Sequence, residues 1–355
     1  MTSRQVVPAA LKPRIVDPLR DSEWDNLVSS HPDSTIFHTS AWAKVLTTSF
    51  GHRPVYLEFT RASNLSALLP VMEVSSHLTG RRGVCLPFIG CCNPLIFEGR
   101  DMSSILNTLI NVAKQRKWKY FELRCGGNSL HPVAPALVTL RGHNIDLRSG
   151  IEVVFSRFDS SVRRAIRKAE RSDLNVCSAS SREAVLKFHR LHSLTRKRLG
   201  LPALPLSYFL RVYDSIIKLG LGFVVMVQKE ARPVAAVVFF IYRKRAFYKF
   251  AASDLTFQSL RPNNLAMWQG IKSVVQRGAD TLDLGATSME GEGLRRFKLS
   301  WGSEEEAIRW FRFNPGKGTW STPRRCGSGL DKRIFARLPL TLNRIAGAMF
   351  YRHSH

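Results

Sequence analysis

The segment that most limits the fold is the apolar run Val-Ala-Ala-Val-Val-Phe-Phe-Ile-Tyr at residues 234–242, preceded by Pro233 and followed by Arg243. It is rich in β-branched and aromatic residues, and it falls well short of the roughly 18 residues that cross a bilayer. Such a run reads as a buried strand. Residues 222–228 and 246–252 are strand candidates on either side of it. The turn Lys-Glu-Ala-Arg-Pro before the run is short and polar, with its proline where no ladder donor is required. After Pro262, Leu265, Trp268, Ile271 and Val275 recur at helical spacing as far as Gly278, which suits a left-handed cap, and residues 281–284 form another short buried strand. Strands and helices in this alternation are the pattern of an α/β domain.

The N-terminal part has the same texture. Residues 1–13, with Pro8 and Pro13, read as a flexible arm. Asp21 or Ser22 can cap a helix carrying Trp24, Leu27 and Val28, and Ser40 one carrying Trp42, Val45 and Leu46. Extended segments follow at 54–59 and 66–74. The stretch 81–97 holds two glycines and two prolines and suits the lining of a cleft. A helix over 102–116 and a strand over 120–124 come next, and 126–150 reads as a closing hairpin and a connection. Domains are expected at 14–150 and 151–302, followed by a return strand over 303–320 and a basic amphipathic tail over 321–355.

Charge narrows the partners. The chain has 53 Lys and Arg against 27 Asp and Glu, a formal net charge of +26. An RNA, an anionic membrane surface or a phosphate-bearing small molecule would each suit that balance. Residues 160–171, Ser-Ser-Val-Arg-Arg-Ala-Ile-Arg-Lys-Ala-Glu-Arg, put Val162, Ala165, Ile166 and Ala169 on one helical face and Arg163, Arg164, Arg167, Lys168 and Arg171 on the other. Arginines so arranged can grip phosphates bidentately, or can simply form a solvated face. In 282–302 a short strand runs into a loop with Gly291 and Gly293 and then a charged segment with Arg295, Arg296 and Lys298. Backbone amides in a glycine loop, with a lysine beside them, can stabilise the oxyanion of acyl transfer without a covalent nucleophile. Asp283 reads as a general base or as a carboxylate that ties down its own loop. In the tail, Leu330, Ile334, Leu338, Leu342, Ile345 and Met349 interleave with arginines, as in a helix lying on an anionic leaflet or packing on its own protein.

Other chemistry is not indicated. The six cysteines show no Cys-x-x-Cys pair and read as buried thiols of a reducing compartment. His189 and His192 share a helix face but lack a carboxylate or cysteine at ligand spacing, so no metal is expected. The N-terminus lacks the apolar segment of a signal peptide, and a cytoplasmic protein, peripheral at most to the inner membrane surface, is the expectation.

Five motifs together resemble the FemAB-like family: residues 35–51, 160–171, 189–214, 261–271 and 282–302 appear in the family's order, and the likeness spans roughly residues 20–315. The resemblance implies an α/β fold of two GNAT-like domains with mixed central sheets and a cleft between them. It implies an acyltransferase that passes an aminoacyl or acyl group to an amine or hydroxyl of a cell-envelope precursor or of a polysaccharide- or lipid-linked acceptor. The donor would be aminoacyl-tRNA or acyl-CoA, with no tightly bound cofactor. Partners would be a phosphate-bearing small molecule or lipid-linked acceptor, tRNA, and an anionic membrane at the periphery. Phe297 and Lys298 match the Phe-Lys pair near the reacting acyl group, Arg163 and Arg164 match the basic helix of the second domain, and Lys44 resembles a residue that contacts precursor phosphates. Arg167 and Arg295 join the substrate-binding set, and Lys298 and Asp283 the catalytic one. Two departures stand out: the chain lacks the long heptad arm that would hold tRNA, and it lacks the glycine-rich pyrophosphate loop of ordinary CoA-binding GNAT proteins. The competing expectation is a non-catalytic protein that binds RNA or anionic membrane on a transferase scaffold.

Overall fold

The computed structural model describes residues 11–76, 79–98, 102–126, 134–323 and 332–353. The apolar run lies in strand Arg232–Tyr242, the middle of an antiparallel trio with Gly222–Lys229 and Arg245–Ser253. Its side chains alternate between two cores, so the sequence shows no polar face. Val237, Phe239 and Ile241 pack into the core that contains helix Pro262–Gln276, while Ala236, Val238 and Phe240 face the core that continues into the N-terminal half. The helix ends where Gly278 takes a φ of 78°, and the chain returns in strand Thr281–Asp283, parallel to Arg245–Ser253.

The N-terminal half repeats this plan without repeating the sequence. Helices Trp24–Ser30 and Ser40–Phe50 precede short antiparallel strands from Arg53–Pro54 to Gly80–Val84, and helix Met102–Gln115 then leads to strand Phe121–Gly126, parallel to Gly80–Val84. In both halves a helix therefore joins two parallel strands. The cap of helix Ser40–Phe50 differs from the expected one: Asp25 accepts from the Ser40 amide at 2.8 Å and from its hydroxyl, so the capping carboxylate comes from the preceding helix. Asp21 accepts from the Glu23 amide at 3.0 Å instead of capping the helix that follows. The arm is shorter than expected, because strand Lys12–Val16 already pairs with Tyr56–Arg61; residues 1–10 lie outside the described set.

The halves exchange their last strands. Residues 138–146, expected within a closing hairpin, form one long strand, Val138–Asp146, that pairs with Thr281–Asp283 of the second half and with Glu304–Asn314. The return strand Glu304–Asn314 in turn pairs with Phe121–Gly126 of the first half. A thirteen-stranded sheet thus runs through both halves, and the boundary expected near Gly150 falls after a strand that already belongs to the other half's ladder.

At the C-terminus, helices Lys332–Arg337 and Leu340–His353 close over helix Arg182–Arg198. Asn343 is fully buried, accepting from the Ala203 amide at 2.9 Å and donating to the Leu201 carbonyl at 3.1 Å. Gly347 lies so close to Ala203 that a Cβ would sit 1.8 Å from its carbonyl oxygen, so no side chain fits there. His189 and His192 serve this packing. Nε2 of His189 bonds the Leu204 carbonyl at 3.2 Å, Nε2 of His192 accepts from the Leu204 amide at 3.4 Å, and burial lowers both imidazoles, His189 to about 4. Of the cysteines, Cys85, Cys92 and Cys125 are buried as expected, Cys91 is half-buried, and Cys177 on the edge strand Asn175–Ala179 is exposed; Cys326 lies outside the described residues.

Candidate active site

The parallel strands of the second half stay paired for only three residues, from Arg245 opposite Thr281 to Phe247 opposite Asp283. Gly285, at a φ of 76°, then turns the chain, and the pairing ends, leaving a notch in the ladder beyond Phe247 and Asp283. Strand Arg245–Ser253 carries a bulge at this point, since Phe239 pairs with Tyr248 and Val238 with Phe250, leaving Lys249 without a partner in the ladder. A bulge re-aims the side chain it frees. Lys249 points into the notch, where its ammonium donates to the Phe88 carbonyl at 2.7 Å and lies 5.0 Å from the Phe37 ring, 5.2 Å from Trp42 and 5.5 Å from Phe250.

The cleft-lining loop expected from residues 81–97 forms the opposite wall and is held carbonyl by carbonyl. Phe88 is bound by Lys249, Ile89 accepts from Arg124 at 3.0 Å, and Gly90 accepts from the Trp310 indole at 2.8 Å. Arg124 lies 4.1 Å above the Trp310 ring and shares the buried Glu122 with Arg312, at 2.8 and 2.7 Å. Gly90 is packed against Ala286, where a Cβ would come within 2.8 Å of the alanine methyl, so the two loops meet there. On the facing loop, Lys298 donates to the Gly285 carbonyl at 2.8 Å and the Ala286 carbonyl at 3.1 Å.

Asp283 lies electrostatically between the two lysines. Burial raises its carboxyl above the ordinary range against the opposing pull of the Gly285 amide, Lys298 and Lys249. Burial likewise lowers the amines against the pull of Asp283, Lys298 to about 8 and Lys249 to about 7. Lys249 and Asp283 nonetheless keep part of their surface open to solvent, as residues lining a groove do. An unfolded lysine stays protonated to about pH 10, whereas folded Lys249 releases its proton near 7. The unfolded chain therefore binds more protons in that window and stability rises with pH. Lys249→Met is expected to flatten this rise and to be no less stable than the native chain at pH 7, as read by urea unfolding at pH 7 and 9; a variant that keeps the full rise would show that Lys249 is not the group responsible.

The remaining sequence-derived residues are dispersed around this centre. Arg295 is committed to carboxylates, Glu305 at 2.8 Å and Glu292 at 3.5 Å. Phe297 packs edge-on to Trp301 with centroids 6.2 Å apart. The basic helix, Ser160–Glu170, buries Val162, Ile166 and Ala169 as its periodicity indicates. Arg163 is half-buried, and Arg164 and Arg167 are exposed and line a cavity of about 420 Å³ with Lys168 and Arg171. The helix is tied to the Lys298 segment by the Asp159 amide, which donates to the Ser300 carbonyl at 2.9 Å, while among the described residues no hydrogen bond joins its arginines to Asp283 or Lys298. Lys44 is exposed on helix Ser40–Phe50, whose inward residue Trp42 faces Lys249 instead. Sequence reasoning did not find Lys249, Arg124 or Glu122; a lysine interrupting the apolar run Ala246–Ala252 was the one signal available for the first of them.

Residues 156–304, the part that holds the notch, match the family described as Acetyltransferase (GNAT) domain. The chain carries a GNAT acetyltransferase domain. It is therefore an acyltransferase, and this GNAT domain contributes both lysines and Asp283. Similar solved structures cover nearly the whole length. FemX matches with a TM-score of 0.68 at 14% identity, covering 84% of this chain and 96% of its own. The tandem GNAT protein from the clavulanic acid biosynthesis pathway matches with a TM-score of 0.56 at 8% identity, covering 86% and 99%. L-PGS from Bacillus licheniformis matches with a TM-score of 0.54 at 13% identity, covering 90% and 98%. At these identities the likeness is one of fold, and it agrees with two GNAT-like halves in mixed sheets. No curated protein matches the sequence. Among the described residues no helix is long and apolar enough to cross a membrane.

Proposed function

We propose that the protein transfers an aminoacyl or acyl group from aminoacyl-tRNA or acyl-CoA to an amine or hydroxyl of a phosphate-bearing or lipid-linked cell-envelope precursor. The observation that carries this reading is that Lys249, bound to the Phe88 carbonyl, and Lys298, bound to the Gly285 and Ala286 carbonyls, hold the two loops that meet at Gly90 and Ala286, with both ammonium charges acting on Asp283. An ammonium has three donors, and the Gly285 and Ala286 carbonyls take two from Lys298, leaving one for the donor carbonyl as it gains negative charge. Asp283, its carboxyl raised by burial, is suited to accept the proton lost by the attacking amine or hydroxyl. The new carbon–nitrogen or carbon–oxygen bond forms as the bond to the thiol or ribose oxygen breaks, and the departing oxygen or sulfur takes up a proton. The loops are themselves fixed by the bonds their carbonyls accept from Lys249, Arg124, Trp310 and Lys298, so a groove of set shape would position both reactants and supply much of the rate. Arg163, Arg164 and Arg167 would anchor phosphates on the outer side of the GNAT domain, and Phe297 would support the helix that carries Lys298. The net charge of +26 supports a phosphate-bearing acceptor and contact with an anionic inner membrane surface.

The test is a transfer assay with radiolabelled acetyl-CoA and radiolabelled aminoacyl-tRNA, each offered nucleotide-linked and lipid-linked envelope precursors, alongside mass spectrometry of ligands that co-purify. Label on a precursor from one donor is the expected result. Absence of transfer from either donor, with only RNA co-purifying, would instead establish the binding-protein reading.

A further inference from the structure

The C-terminal helix Leu340–His353 has two faces with different fates. Asn343, Gly347 and Tyr351 are buried against the 201–204 segment, whereas Leu342, Ile345 and Met349 are 49%, 57% and 67% exposed. Those three fall at i, i+3 and i+7, one stripe of a helix. The neighbouring helix Arg182–Arg198 extends the stripe with Leu186 and Leu194, 36% and 46% exposed, on either side of Arg190. Between the helices lies a cavity of about 450 Å³ lined by Leu186, Leu206, Ile345 and Ala348 together with Arg190 and Arg344. Nε of Arg344 is fixed on the Ser193 hydroxyl at 3.0 Å. Arg333, Arg337 and Arg352 are exposed on the same terminal segment.

We propose that this face is a docking site for an anionic phospholipid bilayer, with the cavity taking an acyl chain and Arg190 and Arg344 its phosphate. Exposed Ile and Met side chains along one helix stripe have no use against RNA, whose phosphates would be met by the arginines alone, but they gain from insertion at the acyl boundary. The arginines beside them choose an anionic headgroup over a neutral one, and each cation near such a leaflet contributes about a fivefold factor to partitioning. The surface lies apart from the notch and does not depend on the acyl-transfer reading.

The experiment is sedimentation of the full chain with vesicles of phosphatidylglycerol mixed with phosphatidylcholine, and with phosphatidylcholine alone. Binding is expected to the first and not the second. The double variant Ile345→Ser with Met349→Ser, exposed positions whose change leaves the buried face untouched, should weaken it by at least about tenfold, because roughly a methylene or more of burial is lost at each. Arg190→Ala should weaken it about fivefold. Lys298→Met should bind vesicles as the native chain does, so loss of transfer with retained binding separates a failure of the notch from a failure of this surface. Equal binding to both vesicle types, no binding to either, or concentration-dependent dimers abolished by the Ser variant would each overturn the proposal, the last by assigning the face to a second copy of the chain.

Discussion

Lys298→Met is expected to lower transfer by about two to three orders of magnitude, the loss that would follow if the proposed donor to a developing oxyanion were removed. The Lys298 ammonium, almost wholly buried, spans the Gly285 and Ala286 carbonyls, which take two of its three donors. Methionine keeps the length and apolar stem but supplies none of these donors. The fold should survive, because removing a desolvated charge offsets part of the cost of two unpaired carbonyls. The measurement is turnover in the transfer assay beside a thermal unfolding curve. Native turnover in a folded Met variant would take Lys298 out of the chemistry; an unfolded variant would move the question to Lys298→Arg, which keeps the charge and is expected to recover part of the rate.

The largest effect on stability belongs to Glu122. Its carboxylate is 3% exposed and lies between Arg124 and Arg312, while Arg124 also carries the Ile89 carbonyl of the groove loop. Glu122→Gln leaves two guanidinium groups facing a neutral amide, and breaking a buried pair in this way costs about 3–5 kcal/mol. Urea unfolding at neutral pH reads that loss directly. The pH dependence gives a second reading. Burial would raise the Glu122 carboxyl, but Arg124 and Arg312 outweigh it and hold the group below the ordinary carboxylate range. Its contribution is therefore fully present above the unfolded value, about 4.3, and is lost as pH falls through the lower folded value. The Gln variant should lack that part of the acid-induced fall; an unchanged acid limb would mean that other carboxylates govern it.

Much of the fold was legible because it rests on local pattern. The 234–242 run named the central strand, Gly278 marked the end of its following helix, and the apolar spacing of the basic helix picked the three residues that are buried. The groove was legible only in part. Lys298, Asp283 and the glycine- and proline-rich loop could be singled out, since unusual composition marked them. Lys249 could not, because a single lysine in a strand reads as a solvent-facing position until a bulge in the pairing turns it inward. Arg124 and Glu122, two apart on one face of a strand, look like surface charges in the sequence, and only the return strand with Arg312 and Trp310 encloses them. The strand exchange was illegible for a related reason: nothing local in 138–146 or 304–314 says which half will accept it. Lys44 shows the converse, a motif position whose neighbour Trp42 turned out to face the groove.

That exchange limits how the molecule can move. Hinged opening of the lobes would have to tear the six pairs between Glu304–Asn314 and Phe121–Gly126, or those between Val138–Asp146 and Thr281–Asp283. Reactants would therefore meet a frame braced by these shared strands, and the short segments around Gly90 and Ala286, where one residue from each side touches, are where the two halves meet without a ladder between them.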